Sequence, residues 1–83
     1  MHIVNNIKNF LYDQKFFVSF WNNNVHIFNY LKLVSFNDFE IKLKMEEFDL
    51  RVLGAHLKIT KMEEKELIIN GTIKNIEVLK WEI

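Results

Sequence analysis

Cysteine and proline are absent from this chain, and glycine occurs only twice, at Gly54 and Gly71. Without cysteine there can be no disulfide, no thiolate nucleophile and no cysteine-ligated zinc site, which suits a reducing compartment. No window approaches the roughly 20 apolar residues that span a bilayer, and the N-terminal segment lacks the apolar stretch of a signal peptide. We therefore expect a cytoplasmic protein with no direct membrane span.

No excess of charge of either sign is present: eleven Lys plus Arg balance eleven Asp plus Glu. Nothing in the net charge attracts the chain to phosphate backbones or anionic lipid, so we expect no nucleic-acid partner. At 83 residues the chain should form a single domain over residues 1–83. Hydrophobic residues make up 49%, and eight Phe, two Trp and two Tyr favour a folded core over disorder.

The first residues carry a helical pattern. Apolar residues recur at helical spacing at Ile3, Val4, Ile7, Phe10 and Leu11. This predicts an amphipathic helix over residues 1–14 that covers one end or face of a sheet. An interfacial membrane helix is the alternative, and a single lysine on the polar face speaks against it.

From residue 16 onward the apolar period changes to two, which is typical of strands. Asparagine tolerates left-handed turn conformations, so Trp21–Asn24 is predicted to be a hairpin loop. With turns roughly every 6 to 12 residues and no proline, residues 16–83 are predicted to form about seven short strands. The predicted fold class is all-β, a small β-sandwich or partly open barrel with the N-terminal helix added.

A second turn is predicted at the Glu46-Glu47 pair. It would place Lys44 opposite Asp49 and Lys42 opposite Arg51. Farther along, residues 61–66 are a charged connector that could be a loop or one helical turn.

The two glycines occupy similar settings in DLRVLGAHLKIT and ELIINGTIKNIEV. The apolar alternation slips by one residue after Gly54, and a similar slip follows Gly71. Such a slip indicates a bulge or tight turn, and glycine takes the positive φ that this feature needs. We interpret Gly54 and Gly71 as structural corners where a strand bends sharply or reverses.

No catalytic, cofactor-binding or metal-binding constellation is visible. The residues considered are His2, His26, His56 and the pairs Glu46-Glu47 and Glu63-Glu64. The histidines lie in different elements without partners at metal-ligand spacing, and adjacent glutamates in turns diverge, whereas catalytic carboxylates must converge. The two serines lack a nucleophile setting, and no glycine-rich loop could hold a phosphate. We expect no enzyme activity, no metal and no cofactor.

An alternative function is a small β-barrel that binds an oligonucleotide or another small ligand. Trp21 could stack on bases, and one sheet face could carry cations. These cations are Lys42, Lys44, Arg51 and Lys58. Glu40 and Asp49 interrupt the stripe, and an ordinary solvated face also explains it.

The block FFVSFW, residues 16–21, is apolar on both faces. It could be a central strand covered on both sides, or it could leave one face exposed for a protein partner. The candidate partner surface comprises Phe17, Trp21, Phe28 and Trp81. An unpaired edge strand would also allow a homo-oligomer by strand pairing.

Residues 25–79 resemble the YabP/YqfC sporulation proteins of endospore-forming Firmicutes. VSFNDFEIKLK is similar to the segment that leads into the family's central strand. DLRVLGAHLKI resembles its Leu-x-Ile-x-Gly-x-x-Leu-x-Ile strand pair, and KELIINGTIKNIEVL resembles its closing Gly-x-Ile-x-x-Ile element. The chain departs from the pattern at Phe48, where a glycine often stands, and in FNYLKL, which lacks the usual polar and glycine residues.

The resemblance implies a non-catalytic, β-sandwich-like domain made in the mother cell during sporulation. It also implies an interaction or assembly role with a sporulation membrane protein or a spore-envelope partner. Membrane association would then come through the partner.

Overall fold

The computed structural model describes His2–Ile3, Phe10–Tyr12 and residues 17–80, with side chains described for residues 18–80. The strands in this part of the chain are β1 (His2–Ile3), β2 (Phe10–Tyr12), β3 (Phe17–Trp21), β4 (Asn24–Phe28), β5 (Lys32–Phe36), β6 (Glu40–Lys44), β7 (Phe48–Met62) and β8 (Glu66–Lys80). The six from β3 to β8 have five residues or more. No helix occurs among the residues just named.

These strands form one antiparallel sheet in the order β2-β3-β4-β8-β7-β6-β5, and β1 pairs with β8 beside this path. The all-β prediction is confirmed. β7 and β8 are each 15 residues long and pair along their length. β6 pairs with the first part of β7, and β4 pairs with the first part of β8. The long β7-β8 hairpin therefore joins β5-β6 to β2-β3-β4.

The buried side chains form one apolar cluster. In β4 and β6 every second residue is buried, which is the burial expected of strands with one face toward a core. The core members are Val18, Val25, Ile27, Tyr30, Ile41, Leu43, Met45, Phe48, Leu50, Val52, Leu57, Leu67, Ile69, Ile76 and Val78. Within residues 18–80 no polar or charged residue is buried. At the level of single atoms, Oδ1 of Asn75 is a buried side-chain oxygen of this region that has no hydrogen-bond partner.

Both glycines lie inside the long strands, where the two backbones approach closely. A Cβ built on Gly54 would lie 2.0 Å from the carbonyl oxygen of Thr72. One built on Gly71 would lie 2.7 Å from the carbonyl oxygen of His56, and the φ of Gly71 is 144°. His56 itself adopts a left-handed φ of 54°. A side chain at either glycine position would collide with the facing backbone.

The β7-β8 register shifts on entering Gly54 and again between Ala55 and Lys58. Even-numbered positions of β7 are buried up to Gly54, and Leu57 is the buried position beyond it. In β8 the buried positions change from odd to even numbers across Gly71. Neither glycine reverses the chain. Each long strand continues through its glycine, because a bulge absorbs the extra residue and the ladder then resumes.

The first predicted turn joins β3 to β4. Asn22 and Asn23 have φ values of 49° and 61°, the left-handed pair that closes a two-residue hairpin. Trp21 and Asn24 pair on either side of the loop.

The turn at Glu46-Glu47 has the predicted register. Lys44 pairs with Asp49 and Lys42 pairs with Arg51. The charged connector between β7 and β8 is shorter than expected, because β7 extends to Met62.

The β7-β8 turn consists of residues 63–65. The amide of Glu63 donates to the carbonyl of Glu66 at 2.8 Å. The hydroxyl of buried Tyr30 donates to the Glu63 carbonyl at 2.5 Å, which fixes this turn against the core.

The helix predicted over residues 1–14 falls largely outside the described residues. β1 and β2 are the described segments within that range, and both are strands. The helix stays a prediction for the remainder.

Candidate interaction surface

Trp21 lies at the end of the β3-β4 hairpin and is 72% exposed. The two-residue loop of Asn22 and Asn23 places it at the last paired position of the ladder. An indole left in water forgoes the stabilisation that burial of so large an apolar ring would bring. The packing of the core therefore does not account for the position of this side chain.

A shallow groove of about 450 Å³ opens beside Trp21. Its lining residues are Ser19, Trp21, Asn24, His26, Thr60 and Ile68. Ser19 pairs with His26, and His26 pairs with Ile68, so these three side chains form one row across β3, β4 and β8. Alternate positions of a strand point to the same face, which puts this row beside Trp21.

A compensated charge network borders the groove. Nε2 of His26 donates to Oε2 of Glu66 at 2.5 Å, and Nζ of Lys61 lies 3.0 Å from Oε1 of Glu66. The hydrogen bond from His26, followed by that from Lys61, lowers the pKa of Glu66. The hydrogen bond to Glu66, with Glu63 nearby, raises the pKa of Lys61. The His26 ring also stacks on Phe28 with centroids 4.4 Å apart.

A second charge network lies on β6, β7 and β8. Arg51 donates from Nε to Glu40 at 2.5 Å and from Nη1 to Glu77 at 2.9 Å. Nζ of Lys42 lies 3.7 Å from Oδ2 of Asp49. Because carboxylates already neutralise both cations, this region offers little free positive charge to a phosphate backbone.

The oligonucleotide alternative requires Trp21 and the cations on one surface. In the strand order, β4, β8 and β7 separate β3, which carries Trp21, from β6, which carries Lys42 and Lys44. Lys58 is nearer, since it pairs with Asn70 in the row that leads to the β3-β4 hairpin. One lysine beside a tryptophan is not the continuous basic groove that tracks a single strand.

The four aromatic residues predicted to form a partner surface have different positions. Trp21 is exposed, and Phe28 is half-buried and stacked on His26. The backbone of Phe17 pairs with that of Phe28, but its side chain lies outside the described part. Trp81 also lies outside it.

A second exposed apolar group occurs at β5 and the turns beside it. This β5 edge group consists of Leu31 (54% exposed), Val34 (48%), Phe36 (57%) and Phe39 (67%). The sequence contains a signal for this group, since residues 31–36 have apolar side chains at both odd and even positions. An edge strand cannot bury both of its faces, so some of these side chains must stay exposed.

Among the described residues, no group of three or more His, Cys, Asp or Glu side chains could hold a metal ion. In the same residues no helix is long and apolar enough to cross a bilayer.

The comparisons with known proteins give one family. A model of the YabP family matches residues 21–82, a range that includes both glycines and Trp21. No curated protein and no solved structure matches the chain. Since the family model covers most of its length, the chain belongs to the YabP family.

Proposed function

We propose that this chain is a non-catalytic interaction and assembly module of sporulation. YabP family membership indicates a sporulation-related protein. The proposal adds that the chain acts in the mother-cell cytoplasm, where it binds a membrane or spore-envelope protein and reaches the membrane through that partner. The observation that carries it is Trp21, 72% exposed beside an open groove.

Trp21 has the properties of an interface anchor. Tryptophan is among the residues that contribute most to binding when a partner removes it from water. Covering the exposed part of the indole, roughly 150 Å², would contribute up to about 4 kcal/mol before the costs of association.

The groove supplies a polar surround for this anchor. Ser19, Asn24 and Thr60 are neutral and can exchange hydrogen bonds with a partner. An apolar anchor within a polar rim is the usual composition of a specific protein interface.

The test is affinity capture from sporulating cells of the source organism with three tagged proteins: wild type, Trp21→Ser and Phe39→Ser. Phe39 is a matched control because it is also a large exposed ring, at 67%, near the other end of the strand order. We expect wild type and Phe39→Ser to recover the same sporulation membrane or envelope protein, and Trp21→Ser to lose it.

Circular dichroism of all three proteins would verify that each is folded. Equal recovery by Trp21→Ser would place the interface elsewhere. Absence of any sporulation protein from the wild-type capture would contradict the function itself.

We also propose that the sheet closes into a small two-layer sandwich. Support comes from the register shifts near Gly54 and Gly71 and from the single core cluster to which both parts of the sheet contribute. Methyl NOEs between Ile27 of β4 and Leu43 of β6, which are separated by two strands in the sheet order, are expected in a sandwich. Their absence would indicate an open sheet.

A further inference from the structure

We propose that the β5 edge group is the contact surface between two copies of this chain. Its members are four large apolar side chains that are about half exposed or more: Leu31, Val34, Phe36 and Phe39. β5 is at one end of the strand order, and the β3-β4 hairpin lies near the other end. The β5 edge group is therefore separate from the Trp21 groove that the proposed function uses.

The four exposed apolar residues of this segment are symmetric about Ser35 in the sequence. Leu31 and Phe39 are equally distant from Ser35 along the chain, as are Val34 and Phe36. A twofold axis at Ser35 that relates two antiparallel segments therefore brings the exposed apolar residues of one copy to those of the other, while the partly buried Leu33 packs against the core of its own copy. Self-complementarity of this kind is what an isologous dimer requires.

The charges of the segment obey the same symmetry. Lys32 and Asp38 are equally distant from Ser35, and both are exposed. Neither forms an ion pair with another residue in the part of the chain that the structure describes. The same axis places Lys32, at the start of β5 in one copy, beside the turn after β5 in the second copy, which carries Asp38, and it does so twice. A parallel arrangement would oppose like charges instead.

The bulge in β5 favours a second copy of this chain as the partner, rather than a strand of any other protein that pairs along the β5 edge. The β5-β6 register shifts between Leu33 and Ser35, which leaves Val34 as the extra residue. A bulge in an edge strand disfavours simple strand addition. Side-chain packing and ion pairs must then hold the contact, and a second copy provides the matching set.

The available area suits a weak dimer. The exposed parts of the four apolar side chains amount to roughly 400 Å² per copy, since an aromatic ring alone can bury about 150–250 Å². With Lys32 and Asp38 the total approaches about 600 Å² per copy, at the low end of specific interfaces. We expect dimerisation in the micromolar range.

Sedimentation velocity of the full chain, at micromolar concentrations and low salt, tests the dimer by means of charge-reversal variants of Lys32 and Asp38. Lys32→Asp and Asp38→Lys should each raise the dimer dissociation constant about tenfold, because each change turns two attractive pairs into repulsive ones. The double variant, with both exchanges, should dimerise nearly as wild type does. Both sites are exposed, so the fold should tolerate every variant.

Phe36→Ser should also weaken the dimer, and Trp21→Ser should leave it unchanged. A wild-type protein that stays monomeric would overturn the proposal, and so would a double variant that fails to recover. Loss of the dimer in Trp21→Ser would assign the contact to the groove instead. Because partner capture depends on Trp21 and dimerisation does not, this inference and the proposed function can fail separately.

Discussion

Replacing Gly54 with alanine tests the interpretation of the β7-β8 hairpin most directly. The φ of Gly54 is not in the left-handed region, so the argument rests on space and not on backbone strain. If the site had room, Gly54→Ala would stabilise the protein by about 0.4–1 kcal/mol, because alanine restricts the unfolded chain. The structure predicts the opposite sign.

The magnitude follows from the contacts of the added methyl group. Its carbon would lie 2.0 Å from the Thr72 carbonyl oxygen and 3.1 Å from Cδ2 of Leu57, which is 2% exposed. β7 and β8 would have to separate locally, which costs about two ladder hydrogen bonds at ~1 kcal/mol each. Displacing the packed Leu57 adds about 1–3 kcal/mol. After the unfolded-state gain, the net loss is about 3 kcal/mol.

Urea unfolding followed by circular dichroism measures this loss. A decrease of about 3 kcal/mol is a large part of the stability of a small domain and corresponds to a melting temperature lower by roughly 15–20 °C. Lys58→Ala, at an exposed position of the same strand, is the control and should change stability by less than about 0.5 kcal/mol. Equal or higher stability of Gly54→Ala would refute the close approach of the two strands.

Two further predictions concern the same hairpin. Gly71→Ala should cost about 2 kcal/mol or more, because φ is 144° and the new Cβ would lie 2.7 Å from the His56 carbonyl oxygen; thermal unfolding checks this, and an unchanged midpoint would contradict it. Glu66→Gln should lower stability near neutral pH. The pKa of Glu66 is lowered in the folded state, so its stabilisation is complete above the ordinary value of 4.5 and is lost as pH falls through the lowered value. Urea midpoints of wild type and Glu66→Gln should therefore differ at pH 7, and the difference should shrink as the pH falls below 4.5; a constant difference would show that the carboxylate charge is not responsible.

Local patterns predicted several elements correctly because their causes are local. The asparagines at positions 22–23 form the hairpin loop, since asparagine accepts a left-handed φ at low cost. The Glu46-Glu47 turn produced the predicted pairs of Lys44 with Asp49 and Lys42 with Arg51, because strand register follows from the position of a tight turn.

Other features depend on residues that are far apart in the sequence and come into contact only in the folded protein. Ladder continuity through Gly54 and Gly71 depends on the facing carbonyls of Thr72 and His56, which alternation within one strand does not reveal. The partners of Arg51 are of the same kind, because Glu77 is 26 positions away and reaches it only through the β7-β8 pairing.

Four features could be predicted from the sequence alone: the all-β class, the turn positions, the change of apolar parity at the two glycines and the resemblance that the family match confirms. These follow from backbone preferences and side-chain periodicity, which act between near neighbours. The exposure of Trp21 and the β5 edge group, and the burial of Val18 and Leu43, depend instead on how the strands are arranged in the fold. The sequence does not show which apolar side chains another strand will cover. The strand order determines this, and it is set by pairing between segments that are far apart in the chain.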